Sequence, residues 1–198
     1  VIPLLTARGH QVTALVREQS KARLPSGCEA AIGNALDGDS YAGRIGAADT
    51  FIHLIGVSHP SPAKAAQFVE IDLRSAHEAI RVAAAAGVQH FIYLSVAHPA
   101  PVMHAYIEAR CAAEQTLRES GLHATILRPW YVLGPGHRWP YLLLPFYAAA
   151  KLFPATRQSA ERLTPVKLRN VLHTVVRAVE QPARGIRIFE TQEMRIAR

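Results

Sequence analysis

Tyr106 and Arg110 stand four residues apart, with Ser95 a short way upstream and a Gly134-Pro135-Gly136 turn downstream. On a helix, that spacing puts the phenol and the guanidinium on one face, one turn apart. A cation beside a tyrosine favours the phenolate, so the pair is a candidate for proton chemistry. The alternative is an ordinary i, i+4 pair on a solvated face.

Whether these groups meet depends on the elements around them. HFIYLS (His90–Ser95) is a short apolar run that reads as a buried strand, and HATILR (His123–Arg128) is another. Between them a helix is expected near Pro101–Ser120, closed by Gly121. Strand, helix and strand make one right-handed βαβ unit. Ligands of open α/β sheets bind at the carboxyl ends of the strands, which is where Ser95, Tyr106, Arg110 and the loop after Arg128 fall.

The rest of the chain alternates in the same way. A helix over residues 1–10 closes at Gly9, and strands are expected at Gln11–Arg17, Glu29–Gly33 and Asp49–Gly56. NALDGDSY reads as a turn into another helix, and a long helix runs from about Ala63 to Ala86 before Gly87. Further on, Pro140–Phe153 is expected to be helical with a bend at Pro145, and residues 154–166 irregular with a short strand around Arg162–Pro165. Val166–Pro182 reads as an amphipathic helix and Ile186–Glu190 as the last strand. This alternation predicts an α/β, doubly wound, mainly parallel sheet with helices on both faces. Residues 1–198 are expected to form one domain, with a core over 1–135 and a small C-terminal helical extension over 136–198 that carries the substrate side and the last strand.

Composition narrows the function classes. The chain has 198 residues, 49% of them hydrophobic, enough for one substantial core and too many for wholesale disorder. The formal net charge is +7, from 22 Lys and Arg against 15 Asp and Glu. The basic residues are scattered from Arg8 to Arg198, and aromatics are not interleaved with them, which argues against a nucleic-acid partner. The longest apolar stretch, Tyr141–Phe153, is broken by Pro145 and is shorter than the roughly 18–20 residues of a membrane span; it fits an amphipathic or partner-facing helix. Cys28 and Cys111 have neither metal-ligand nor disulfide-framework spacing, and no signal peptide is visible, so a cytoplasmic location is expected. His98, His104 and His137 lie around the candidate site without the helical carboxylate pairing of a zinc site, so no metal is expected.

In order and spacing, ARGHQVTALVR, GNALD, DTFIHLIGV, FIYLS, Tyr-x-x-x-Arg, ILRPWYVLGPG and LTPVKLRNV resemble an atypical short-chain dehydrogenase/reductase. The nearest groups are NmrA-like proteins and the NAD(P)-binding epimerase/dehydratase-like and complex-I-subunit-like branch. The resemblance covers nearly the whole chain and implies a Rossmann-like sheet, a nicotinamide cofactor, a small-molecule substrate and, by analogy, a homodimer paired through helices. Such a fold opens with a strand and a glycine-rich turn that receives the pyrophosphate, and no G-x-G-x-x-G or related pattern occurs here. The resemblance therefore implies an N-terminally truncated sheet, lacking about fifteen residues that carry that strand and turn.

The same resemblance assigns residues. Arg17, at the end of the second family strand, stands where an NAD enzyme carries an acid. Its guanidinium suits the 2′-phosphate of NADP, with Lys21 assisting, or is a solvated arginine at a strand end. NADP is thus the expected cofactor, with NAD possible. Asn34, followed by Ala35, replaces the family's usual aspartate near the adenine, or caps a helix. Leu54, Ile55 and Gly56 close the next strand, where the ribose approaches the backbone. Pro129, Trp130 and Val132 match the segment that contacts the nicotinamide carboxamide.

Tyr106 and Arg110 correspond to the family's Tyr-x-x-x-Lys pair. There the lysine holds the nicotinamide ribose and lowers the tyrosine pKa, so that tyrosine exchanges a proton with substrate oxygen. Arginine keeps the charge without the compact ammonium. Ser95 lies next to the family's substrate-orienting Ser/Thr position, which aligns with Val96. The leading expectation is an NADP-dependent oxidoreductase on a small carbonyl or alcohol, with Tyr106, Arg110 and Ser95 as its catalytic set. The rival is a non-catalytic NAD(P)-binding sensor or assembly subunit, favoured by Arg110 and Val96. A nucleotide-sugar epimerase is disfavoured, because little chain follows the sixth family strand from which to build a sugar lobe.

Overall fold

The computed structural model describes residues 1–46, 48–135, 142 and 144–196. A short helix α1 (Ile2–Thr6) leads into the parallel strands β1 (Val12–Val16) and β2 (Cys28–Ile32). Next come β3 (Thr50–His53), helices α2 (Ala65–Gln67) and α3 (Arg74–Ala85), β4 (His90–Leu94), α4 (His104–Glu119) and β5 (His123–Arg128). The chain continues through β6 (Val132–Leu133), α5 (Leu144–Ala150), α6 (Pro154–Arg162), β7 (Val166–Lys167), α7 (Leu168–Glu180), β8 (Ile186–Glu190) and α8 (Thr191–Ile196). Every strand pair is parallel, as the alternation of elements requires.

The β4 run is buried from His90 to Tyr93 because both faces of the sheet are covered. Its period of two splits the core. Phe91 and Tyr93 join Ala124 and Ile126 of β5 under α3 and α4. Ile92 joins Leu127, Phe189 and Met194 under α7 and α8. α1, α3 and α4 stop where Gly9, Gly87 and Gly121 permit the left-handed turn. At Gly87, φ is +71°, and the Val88 N–H reaches back to the Ala83 carbonyl at 3.0 Å.

Strand order is β3-β4-β5-β8 in one ladder and β1-β2 in another. Among the described residues no ladder joins β1 to β3. In a doubly wound sheet a further strand sits between those two, so the division falls where the sequence leads one to expect it. β1 and β3 each present an edge there.

Several local expectations are corrected. The stretch after Asn34 forms only two single 3₁₀ turns, Gly38–Ser40 and Ala42–Arg44, rather than a helix. The long helix over about 63–86 is interrupted by a π turn at Phe68–Leu73. Residues 154–162 are helical, not irregular: Pro154 sits in the first turn, where its missing N–H costs nothing, and Ala160 and Leu163 turn inward. The strand expected at Arg162–Pro165 is instead β7, two residues that pair with β6 and close off the excursion between them. Of the expected Pro140–Phe153 helix, Pro140 lies outside the described residues, as do Gly136 and His137, and the described segment is α5.

One core residue is out of keeping with its surroundings. His53 is 2% exposed beside the rings of Phe91 and Tyr93, and neither ring nitrogen has a hydrogen-bond partner. Burial, and then the Arg110 cation, push its pKa down to about 3. Burial likewise lowers His90 to about 4, with His123 adding to the effect. Both pKa values lie below the unfolded value of about 6.5, so the unfolded chain takes up protons first and stability falls as pH drops below that value. Between pH 6.5 and 5, before carboxylates titrate, we expect a loss approaching 1.4 kcal/mol per pH unit for each histidine. His53→Leu should remove about one proton from that slope in urea titrations; an unchanged slope would exclude His53 as its source.

Candidate functional site

Arg110 projects from α4 beneath the exits of β3 and β4, and is 4% exposed. Its Nη2 donates to Asp72 Oδ1 at 2.5 Å and to the Ile55 carbonyl at 3.3 Å. Nη1 donates to the Leu94 carbonyl at 2.7 Å. Asp72, fully buried, accepts the Val57 N–H on its other oxygen at 2.9 Å. One ion pair therefore ties the carboxyl ends of two neighbouring strands. The π turn places Asp72 there: it lies within Phe68–Leu73, the segment where the helical ladder is wider.

Gly56 belongs to this arrangement. A Cβ on it would collide with the Arg110 guanidinium and lie 2.9 Å from Asp72 Oδ1. Leu54 and Ile55 precede it at the β3 exit, the former exposed and the latter half-buried.

Tyr106 lies one turn before Arg110, with its ring 5.0 Å from Phe68 and 5.2 Å from the Arg110 Cζ. The two side chains share a face, as the spacing requires. Burial raises the Tyr106 pKa, Arg110 opposes that rise, and Asp72 reinforces it. The net direction is upward, away from the phenolate. The expected effect of the cation is present and is outweighed.

Ser95 is committed elsewhere. Its hydroxyl, 3% exposed, donates to Glu114 Oε1 at 2.6 Å. Glu114 also accepts Arg128 Nε at 2.9 Å, and Arg128 reaches on to Glu190 at 3.0 Å. Burial would raise the Glu114 pKa, but His98, Arg128 and Ser95 more than offset it and hold it near 2. Val96, the aligned family position, is buried in the core.

The residues expected at the adenosine end sit together at the exits of β1 and β2. Arg17 and Lys21 are exposed, one turn apart. Asn34 is exposed, but its Oδ1 accepts the Leu36 N–H at 3.1 Å and fixes the turn, with Ala35 inside it. At the β5 exit, Pro129 is buried and its carbonyl accepts the Ala97 N–H at 2.9 Å. Trp130 stacks edge-on against Tyr131 at 5.4 Å and bonds Tyr147 of α5, while Val132 lies in β6.

Sequence reasoning found Tyr106 and Arg110 but missed Asp72 and Glu114, the acids that occupy Arg110 and Ser95. Asp72 is 38 residues from Arg110, and no local pattern signals the pairing. Glu114 had a faint signal, as the acid one turn beyond Arg110 on the same helix.

A parallel sheet with exposed polar groups at its strand exits is an architecture of dinucleotide-binding proteins. The NAD(P)H-binding family matches residues 1–138, and the chain belongs to it. Solved structures share the fold. The Bordetella bronchiseptica enzyme WbmH, in complex with NAD+, superposes with a TM-score of 0.69 at 19% identity, over 96% of this chain and 70% of that one. DesIV, a dTDP-glucose 4,6-dehydratase from Streptomyces venezuelae with NAD bound, gives 0.67 at 17% identity, over 95% and 70%. A short-chain dehydrogenase/reductase superfamily protein from Agrobacterium tumefaciens, with bound NAD, gives 0.67 at 16% identity, over 96% and 73%. At these identities the likeness is one of fold. No curated protein matches the chain.

Removing one partner of a buried ion pair leaves the other charge uncompensated, at a cost of about 3–5 kcal/mol. Arg110→Met and Asp72→Leu are each expected to lose that much in urea denaturation. The double variant should be more stable than either single one. Additive losses would show that the pair is not coupled.

Proposed function

We propose that the protein binds a nicotinamide dinucleotide, with a preference for NADP, and does not run tyrosine-based hydride transfer. The observation that carries this reading is the Arg110 guanidinium, held by Asp72 and two strand-end carbonyls and so not free to hold a ribose. The residues fit the adenosine half of the cofactor: Arg17 and Lys21 offer exposed cations to a 2′-phosphate, beside the Asn34 turn. They do not fit the catalytic half, where Ser95 is bonded to Glu114 and the Tyr106 pKa is raised. Bound cofactor would supply the redox chemistry, and this chain's role is recognition.

A second reading, an NADP-dependent oxidoreductase acting on a small carbonyl or alcohol, is supported by one observation. The Arg110 cation lies 5.2 Å from the Tyr106 ring, so a phenol beside a positive charge is retained.

The chain holds no glycine-rich turn for the pyrophosphate, so calorimetry of residues 1–198 should give a Kd for NADP weaker than about micromolar. NADP should still bind more tightly than NAD, and Arg17→Glu should abolish the difference. Equal affinity in the unsubstituted protein would reject the preference. With NADPH and a panel of carbonyls no turnover is expected; turnover that disappears in Tyr106→Phe would establish the second reading instead.

A further inference from the structure

In the stretch around α5, which the dinucleotide site does not use, Leu142, Phe146, Leu152 and Phe153 are exposed. Tyr147 and Ala150 are half-buried and face in, the former bonded to Trp130, while Phe146 and Ala149 face out. Leu142 ahead of α5, Phe146 within it and Phe153 after it are all exposed. Phe146 is 73% exposed, and Leu152 at the turn into α6 is 81% exposed. The Thr156 hydroxyl donates to the Ala150 carbonyl at 2.6 Å, which folds α6 back and leaves Leu152 and Phe153 at the tip. Exposure of this kind, clustered rather than scattered, marks a surface that something covers.

Beside that tip is a cavity of about 380 Å³ lined by Lys151, Glu161, Gln192, Arg195 and Ile196. Ile196 continues the apolar surface at 77% exposure. Glu161 is already engaged, accepting Arg157 Nε at 3.2 Å and Gln192 Nε2 at 2.8 Å. Among the described residues neither Lys151 nor Arg195 makes a side-chain ion pair. Burial and then the Arg195 charge lower the Lys151 pKa, against an opposing pull from Glu161 across the same cavity.

We propose that this face docks on an anionic lipid surface, with Phe146, Leu152, Phe153 and Ile196 entering the interface and Lys151 and Arg195 meeting the headgroups. Apolar side chains rimmed by cations are the combination that holds a protein in the plane of a membrane interface. No helix of the described residues is long and apolar enough to cross a membrane, so the attachment lies on the surface. A second copy is a poorer occupant, because docking two such faces would bring the same cations together. A neutral apolar partner would leave the two cations with Glu161 alone as counter-charge.

The test is flotation of the protein with vesicles, which involves no nucleotide and is independent of the reading above. Vesicles of equal parts phosphatidylglycerol and phosphatidylcholine should bind at least about tenfold more protein than phosphatidylcholine alone, and added salt should weaken the binding. Phe146→Ser/Phe153→Ser and, separately, Lys151→Gln/Arg195→Gln should each lower binding about tenfold with unchanged circular dichroism. Equal binding to both vesicles, binding to neither, or insensitivity to either pair of substitutions overturns the proposal. So does a change from dimer to monomer in sedimentation velocity on Phe146→Ser/Phe153→Ser, which would assign the face to a second copy.

Discussion

The buried pair between Arg110 and Asp72 constrains everything at the carboxyl edge of the main sheet. A guanidinium has five donors in a fixed fork. Here the two terminal nitrogens reach an acid on the π turn, a carbonyl beyond β3 and a carbonyl at the end of β4, while Nε is buried without a hydrogen-bond partner among the described residues. Two charges withdrawn from water are tolerated only when geometry and hydrogen bonding are good, and the surroundings are fitted to that need. Gly56 leaves room for the fork, the π turn directs Asp72 inward, and Asp72 in turn fixes the backbone at Val57. A lysine at position 110 could not serve all these acceptors, since its ammonium is a point charge rather than a planar fork. The arginine at position 110 is therefore fitted to the architecture around it.

Glu114 has a parallel role a single turn further along α4. It gathers Ser95, Arg128 and, at 3.7 Å, His98 around one carboxylate. The strand exits of β3, β4 and β5 are thus held by two acid-centred clusters, one joining β3 to β4 and the other β4 to β5. Side chains that the sequence presents as reactive are consumed in these clusters. What stays accessible is the rim: Arg17, Lys21 and Asn34 at one end, Trp130 and α5 at the other.

Much of the fold was legible because burial on both faces leaves a short, uninterrupted apolar run. β4 and β5 were readable at nearly their final boundaries for that reason. α6 was not, since PATRQSAER is polar and carries no apolar stripe, and its helix depends on Pro154 at the start and on contacts made by Ala160 and Leu163. The two-residue ribbon of β6 and β7 lies below the length at which any period can be seen. In the site, the pairing of Tyr106 with Arg110 followed from local spacing. The fate of Arg110 did not, because its partner lies across the fold. A local pattern tells which groups share a helix face; it does not tell which buried charge will claim them.

The division of the sheet does not divide the packing. β1 and β2 share a ladder with each other and with nothing else among the described residues. Their connection to the larger ladder runs through apolar contacts as well as polar ties: Val1, just ahead of α1, packs on the cluster of Leu127, Phe189 and Met194, and Ile45 packs on the cluster of Phe91 and Tyr93. Arg8 pairs with Glu180 of α7 at 3.3 Å, and the Gly38 N–H donates to Glu78 of α3 at 2.9 Å. α3 therefore serves both ladders at once, covering the Phe91–Tyr93 core while its polar side chains hold the loop that follows β2.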